Sequence, residues 1–310
     1  MNIPKEYAPV ILFVHSRPEH TQRTIDALKI NELAAETDLI VYSDAARGQR
    51  DFSQVNRVRL IVNAISGFRT VKVIERETNY GLANNIIEGV SEVCRKYGRV
   101  IVMEDDLVVS SYFLKYMNSA LVRYESDDQI MQISGHMFPV SVRPANEAFF
   151  LPMAAYCVWG TWSRAWQHFD AKASQYEKLK GNAKLRRQFD LNGSYDYFEM
   201  LSQQRQGKNN SWAIRWYLSI FFRGGITLYP GVSYVNNIGF DGTGVHCGES
   251  GGEHMPLNKN EILIWPKTVG VCEEDSFEVY EYLRQKKESI WRRIAKGVMR
   301  RARTMGLSGL

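Results

Sequence analysis

Three consecutive acids, Glu104, Asp105 and Asp106, stand directly after the apolar run Val100–Met103. Adjacent carboxylates repel and raise one another's pKa unless a cation lies between them. A divalent metal is the simplest such cation. Mg2+ or Mn2+ is typically held by one or two carboxylates, with a substrate's phosphate oxygens at other positions. Side chains alternate along an extended segment, so Glu104 and Asp106 would point one way and Asp105 the other. Taken alone, the motif reads equally well as an acidic helix start, where carboxylates favour the macrodipole.

Two further polar clusters also follow apolar runs: His15-Ser16-Arg17 after Val10–Val14, and Ser43-Asp44 after Leu39–Tyr42. Each run has the β-branched, continuous character of a buried strand, as do Val71–Ile74 and Val100–Met103. Between them lie helix-compatible stretches. Ser16, Pro18 and Glu19 read as a capping box opening a helix with Ile25 and Leu28 on its apolar stripe. Tyr80-Gly81-Leu82 leads into a helix through Ile86, Ile87 and Val90, and Phe113, Leu114 and Met117 mark another. Strand and helix alternate at about 30 residues, the βαβ signature of a mostly parallel α/β sheet with helices on both faces. Ligands of such sheets bind outside the carboxyl ends of the strands, and all three polar clusters fall there.

From about Gln132 the pattern is irregular and rich in aromatics and glycine, and a last strand is expected at Ile262–Trp265. Residues 1–131 are read as one half and 132–270 as the other, mixed half of one domain, followed by a tail, 271–310. Trp159, Trp162, Arg164 and Trp166, then Trp212, Arg215 and Trp216, interleave indoles with guanidinium groups. An aromatic face suits a sugar ring and Arg suits diphosphate oxygens, but Trp is mostly core, so only one or two should meet a ligand.

The 310 residues are 45% hydrophobic and 24% charged, which suits a folded domain and not a disordered chain. Net charge is +5, yet Arg284–Arg303 alone carries nine basic residues and one acid, leaving the rest about −3. The body is therefore no basic nucleic-acid binder. Ile290, Trp291, Ile294 and Val298 give that tail a narrow apolar stripe, so it reads as a cationic amphipathic helix for an anionic membrane surface, or as a solvated or docked helix. Cys94, Cys157, Cys247 and Cys272 lack CxxC spacing, which fits a reducing compartment. No signal peptide or membrane span is expected.

The order of segments resembles the nucleotide-sugar glycosyltransferases of the GT-A (Rossmann-like) fold. The likeness is greatest to the group with an EDD version of the DXD motif, which includes N-acetylglucosaminyltransferases acting on N-glycans and many bacterial polysaccharide transferases. It runs from Pro9 to Trp265 through PVILFVHSRPEH, LIVYSDAARG, ERETNYGLANNI, VIVMEDDLVVSSYFL, QISGHMFP, WGTWSRAW, NNSWAIRWYLSIFFRGG and NNIGFDGTGVHCG.

The resemblance implies roles, with 1–131 as the nucleotide-binding half and 132–270 as the acceptor half. Arg17 and Asp44, with His15, would hold the nucleotide; Asn79 and Asn84 would border the donor. Asp106 would ligate Mn2+ or Mg2+ on the diphosphate, Glu104 and Asp105 would reach sugar and ribose, and His246 in a C-terminal loop would be a second metal ligand. Trp159, Trp162, Trp212 and Arg215 would line the acceptor side. An inverting enzyme needs a carboxylate base, which related chains place just ahead of a Trp, where this chain has Asn210, an amide. The base would then be Asp196, Glu199 or Asp241.

The expected activity is transfer of a hexosyl or N-acetylhexosaminyl group from a UDP-type donor to a glycan or lipid-linked glycan hydroxyl. The expected setting is bacterial surface polysaccharide assembly, in the cytoplasm on the inner face of the cell membrane, with no nucleic acid involved. The alternative is a catalytically impaired nucleotide-sugar or glycan-binding protein.

Overall fold

The computed structural model describes residues 7–241 and 256–287. His246, Cys247 and the chain beyond Lys287, with Trp291, lie outside the described residues.

The first half alternates as the sequence suggests. In order come β1 (Val10–Val14), α1 (Pro18–Lys29), β2 (Asp38–Ser43), α2 (Gln49–Asn63), β3 (Thr70–Glu75), α3 (Leu82–Tyr97) and β4 (Arg99–Glu104). Next are β5 (Leu107–Val109), α4 (Phe113–Arg123), β6 (Ile130–Ser134), β7 (Ala148–Leu151), β8 (Trp159–Trp162) and α5 (Ser163–Trp166). The rest comprises α6 (Tyr176–Lys180), α7 (Ala183–Phe189), α8 (Tyr197–Arg205), α9 (Trp212–Phe222), β9 (Ile226–Pro230) and β10 (Val235–Asn237). A last helix covers 273–287.

Eight strands form one sheet in the order β3-β2-β1-β4-β8-β6-β9-β7, and β5 pairs with β10 in a small separate ribbon. β3, β2, β1 and β4 are all parallel. β8 runs antiparallel to both β4 and β6, so β6 again points the same way as β4. The carboxyl ends of β1, β2, β3, β4 and β6 therefore share one edge. The sheet is the mostly parallel α/β architecture expected from the strand–helix alternation.

β1 is buried at all five positions, because both faces are covered. Ile11 and Phe13 face one core with α3 and α9, whereas Val10, Leu12 and Val14 face a second core with α1, α2 and α4. Gly89 lets α3 sit tight on the sheet: a Cβ there would lie 2.9 Å from the Phe13 ring and 3.0 Å from that of Tyr42.

Two local expectations change. Arg17, not Ser16, is the first residue flanking α1, with Pro18 inside its first turn and no side-chain cap. The Ser16 hydroxyl instead lies 3.0 Å from His15 Nδ1, and Glu19 is drawn to Arg57 at 2.6 Å. Ile262–Trp265 forms only a one-residue bridge, Glu147 to Ile264, just ahead of β7 at the edge of the sheet. The helix 273–287 docks on the body: Val279 and Leu283 join the core beside α9, and Arg143 holds Asp275 by a forked pair at 2.9 and 3.0 Å.

Candidate active site

The shared edge gathers the sequence-selected polar residues. Glu104 is the last residue of β4, and the next two acids turn the chain into β5. Thr24 of α1 pins that turn: its hydroxyl donates to the Asp105 carbonyl at 2.9 Å and accepts from the Leu107 amide at 3.2 Å. β5 then pairs with β10, placing Asn237 opposite Leu107, and the Ile238 amide donates to the Asp106 carbonyl at 2.8 Å. The ribbon thus carries Gly239 onto the acids. A Cβ at Gly239 would stand 2.2 Å from Asp106 Oδ2 and 3.0 Å from Arg17 Nη1.

Arg17 supplies the cation that the adjacent acids require. Its Nη2 donates to Asp105 Oδ1 at 2.5 Å and Asp106 Oδ2 at 2.9 Å, with both carboxylates about one-tenth exposed or less. The His15 amide adds a bond to Asp105 Oδ2 at 3.4 Å. Burial still pushes the Asp105 carboxyl above its ordinary range despite Arg17. Glu104, partly exposed, is raised well above the carboxylate range by burial and then by Asp106 and Asp105. Neither Glu104 nor Asp106 Oδ1 has a hydrogen-bond partner among the described residues.

Asp44 organises the neighbouring loop. Its two oxygens accept the amides of Ala45, Tyr80 and Gly81 at 2.9–3.0 Å and the Asn79 side chain at 3.1 Å. Asn79 also donates to the Ala45 carbonyl at 2.7 Å, 3.4 Å from His15 Nε2. His15, Asp44 and Asn79 are thus one network at the ends of β1 and β2. Asn84 lies on the exposed side of α3, its amide donating to the Tyr80 carbonyl.

The indoles divide. Trp159 faces Val102 across the sheet, stacks on Trp212 at 5.1 Å and is fully buried. Trp162 faces Arg99, at the opposite end of β4, and its Nε1 donates to the Leu121 carbonyl. Arg215 is buried and gives its donors to the carbonyls of Ser211 and Ala171 and to Asn210 Oδ1, the last at 2.9 Å. Asn210 is exposed and makes this bond to Arg215, while the Ser211 hydroxyl caps the start of α9.

Of the carboxylates named as bases, Asp196 accepts from Lys287 at 2.6 Å, and Glu199 is exposed and accepts from Gln203. Asp241 lies 3.1 Å from His20 Nε2, unaligned for a hydrogen bond.

A residue singled out by no sequence argument is His136, two positions beyond β6 on this same edge. Only its place in QISGHMFP pointed to it. The sequence also gave no sign that helix 273–287 would bring Lys286 close to it.

No group of three His, Cys, Asp or Glu that could cage a metal occurs among the described residues. The chain is similar to a solved mannosyltransferase, PcManGT from Pyrobaculum calidifontis, in complex with GDP-Man and Mn2+. Identity is 14% and the TM-score 0.33, over 51% of this chain and 45% of that one, so the match spans less than half of that protein. No family model and no curated protein matches the chain. No described helix is long and apolar enough to cross a membrane.

Proposed function

We propose that the chain is a nucleotide-sugar glycosyltransferase whose donor diphosphate lies over the Asp105-Asp106 turn. The observation carrying this reading is the acidic turn at the carboxyl edge of a parallel sheet, bridged by Arg17 and closed by Gly239. A site built for a cation between two acids, with an arginine able to turn toward phosphate, suits an anionic leaving group. Asp106 would hold a Mn2+ or Mg2+ ion through Oδ1. A cation of this kind needs only one or two carboxylates when diphosphate oxygens complete its shell, so the absence of a three-residue cage among the described residues fits it. Such an ion neutralises charge on the leaving diphosphate.

The chain's own residues do the rest. Arg17 trades Asp106 for a diphosphate oxygen, keeping its bond to Asp105. The Asp44 network fixes the Tyr80-Gly81 turn against which the nucleoside rests. Glu104, without a partner, accepts hydrogen bonds from donor hydroxyls. The acceptor hydroxyl attacks the anomeric carbon from the face opposite the diphosphate, so the configuration inverts. The acceptor would be a glycan or a lipid-linked glycan of a bacterial surface polysaccharide, with the basic segment beyond Lys287 resting on an anionic membrane.

Titration calorimetry with UDP-glucose, UDP-N-acetylglucosamine and GDP-mannose, with and without Mn2+, tests the reading. Metal-dependent binding of one of them is expected; no binding of any would refute it. A second reading, a donor-binding protein without turnover, draws on the Asn210 amide and is separated by release of the nucleoside diphosphate.

A further inference from the structure

His136 and Tyr156 meet at the same sheet edge as the acidic turn. Val102, Trp159 and Ser134 are paired across β4, β8 and β6. Glu104 ends β4 two residues beyond Val102, and His136 follows the end of β6 two residues beyond Ser134, after a turn in which its amide donates to the Ser134 hydroxyl. At about 4.8 Å between strands, the Val102 and Ser134 backbones that lead to them are about 10 Å apart. The Gly135 amide continues the ladder to the Val158 carbonyl at 2.9 Å, which holds His136 at the sheet margin.

Tyr156 keeps 49% of its surface exposed, yet burial pushes its phenol well above the usual range. His136 is partly exposed, yet burial, with Lys286 nearby, draws its imidazole down to about 4. Both side chains thus keep open surface beside a desolvating protein wall. The rings lie 6.4 Å apart, and Phe138 packs edge-on to His136 at 5.4 Å. Neither ring nitrogen of His136 has a hydrogen-bond partner among the described residues. An exposed aromatic ring beside a neutral imidazole suits the apolar face and hydroxyls of a pyranose.

We propose that Tyr156 and His136 form the acceptor-sugar subsite, with His136 as the base that the Asn210 position does not supply. This rests on the transferase reading above. The acceptor O–H proton passes to an imidazole nitrogen of His136 while that oxygen bonds to the anomeric carbon. The C–O bond to the diphosphate breaks, and its electron pair leaves with the nucleoside diphosphate. Lys286 on helix 273–287 is near enough to act on the His136 imidazole while donating to the Tyr282 hydroxyl at 3.1 Å, and its charge favours an acceptor sugar that carries a carboxylate.

The test uses the full chain with UDP or GDP bound and follows the His136 ring C–H by NMR, assigned by its loss in His136→Gln. Methyl hexopyranosides and methyl hexuronides are titrated in. A hexuronide is expected to shift the His136 signal, and Tyr156→Ala, at an exposed position, should weaken that binding about tenfold. With that sugar as acceptor, His136→Gln should lower kcat about 10²–10⁴-fold and leave the donor KM unchanged. A His136 signal that no glycoside moves, in protein that binds nucleotide-sugar, overturns the proposal. So does unchanged kcat in His136→Gln. Failure to bind any nucleotide-sugar instead overturns the transferase reading.

Discussion

Replacing Gly239 by alanine adds one methyl group at the tightest point of the site. The Cβ would meet Asp106 Oδ2 at 2.2 Å and Arg17 Nη1 at 3.0 Å. Ordinary contact begins near 3.4 Å, so the carboxylate oxygen must retreat by about 1 Å. The Arg17–Asp106 bond, now 2.9 Å, then opens beyond hydrogen-bond range. Relief by the ribbon is restricted, because the Ile238 amide and the β5–β10 pairing fix Gly239 to the same turn. Overpacking costs about 1–3 kcal/mol, and a lost hydrogen bond between charged groups about 1.5–3 kcal/mol. Gly239→Ala should therefore lower unfolding free energy by about 2.5–6 kcal/mol and, by displacing the Asp106 carboxylate, weaken donor binding at least tenfold. Gly270→Ala is the control, since nothing lies within 4 Å of its Cβ. Urea unfolding followed by tryptophan fluorescence reads the first effect and calorimetry the second. A Gly239→Ala protein as stable as the Gly270→Ala control, with unchanged donor affinity, would refute the packing of ribbon on acids.

The His136 imidazole is held near 4 against an ordinary value of 6.5, so the unfolded chain binds the extra proton first. Its contribution to stability is present above pH 6.5 and fades as pH falls toward 4, by about 1.4 kcal/mol per pH unit at most; His136→Gln should flatten that part of the stability–pH curve measured by urea unfolding. Asn210→Asp should pair with Arg215 and stabilise the fold by up to about 1 kcal/mol, read as a rise in Tm, while leaving kcat unchanged if His136 is the base. Truncation after Lys287 should keep the docked helix and its Lys287–Asp196 pair but release the protein from anionic vesicles in co-sedimentation. Retained, salt-insensitive binding would count against the membrane role.

The parallel half of the sheet was legible because β-branched runs alternate with helix-compatible stretches, and polar clusters at strand ends mark the edge where ligands meet such sheets. The acidic turn was legible for the same reason, since three acids after VIVM demand a cation. That Arg17 also bridges these acids was not. Whether Arg17 reaches the acids depends on how α1 packs beside β5, which no spacing in the sequence encodes. Asp44 read as a ligand contact, and the sequence did not show the three hydrogen bonds that tie it to the 79–81 loop. The Trp–Arg interleaving said little about the site, because Trp162 and Trp159 share a strand but lie at opposite ends of it. His136 was obscured because its neighbours, Tyr156 and Lys286, come from segments 20 and 150 residues away. Only the antiparallel insertion of β8 aligns β6 with β4.

The most direct measurement of the central claim is donor binding to Asp106→Ala beside the unaltered chain, by calorimetry in Mn2+ and in chelator. Binding of one nucleotide-sugar that requires Mn2+ in the unaltered chain and is lost in Asp106→Ala is the predicted result. Equal affinity in both proteins, or in both buffers, would contradict it.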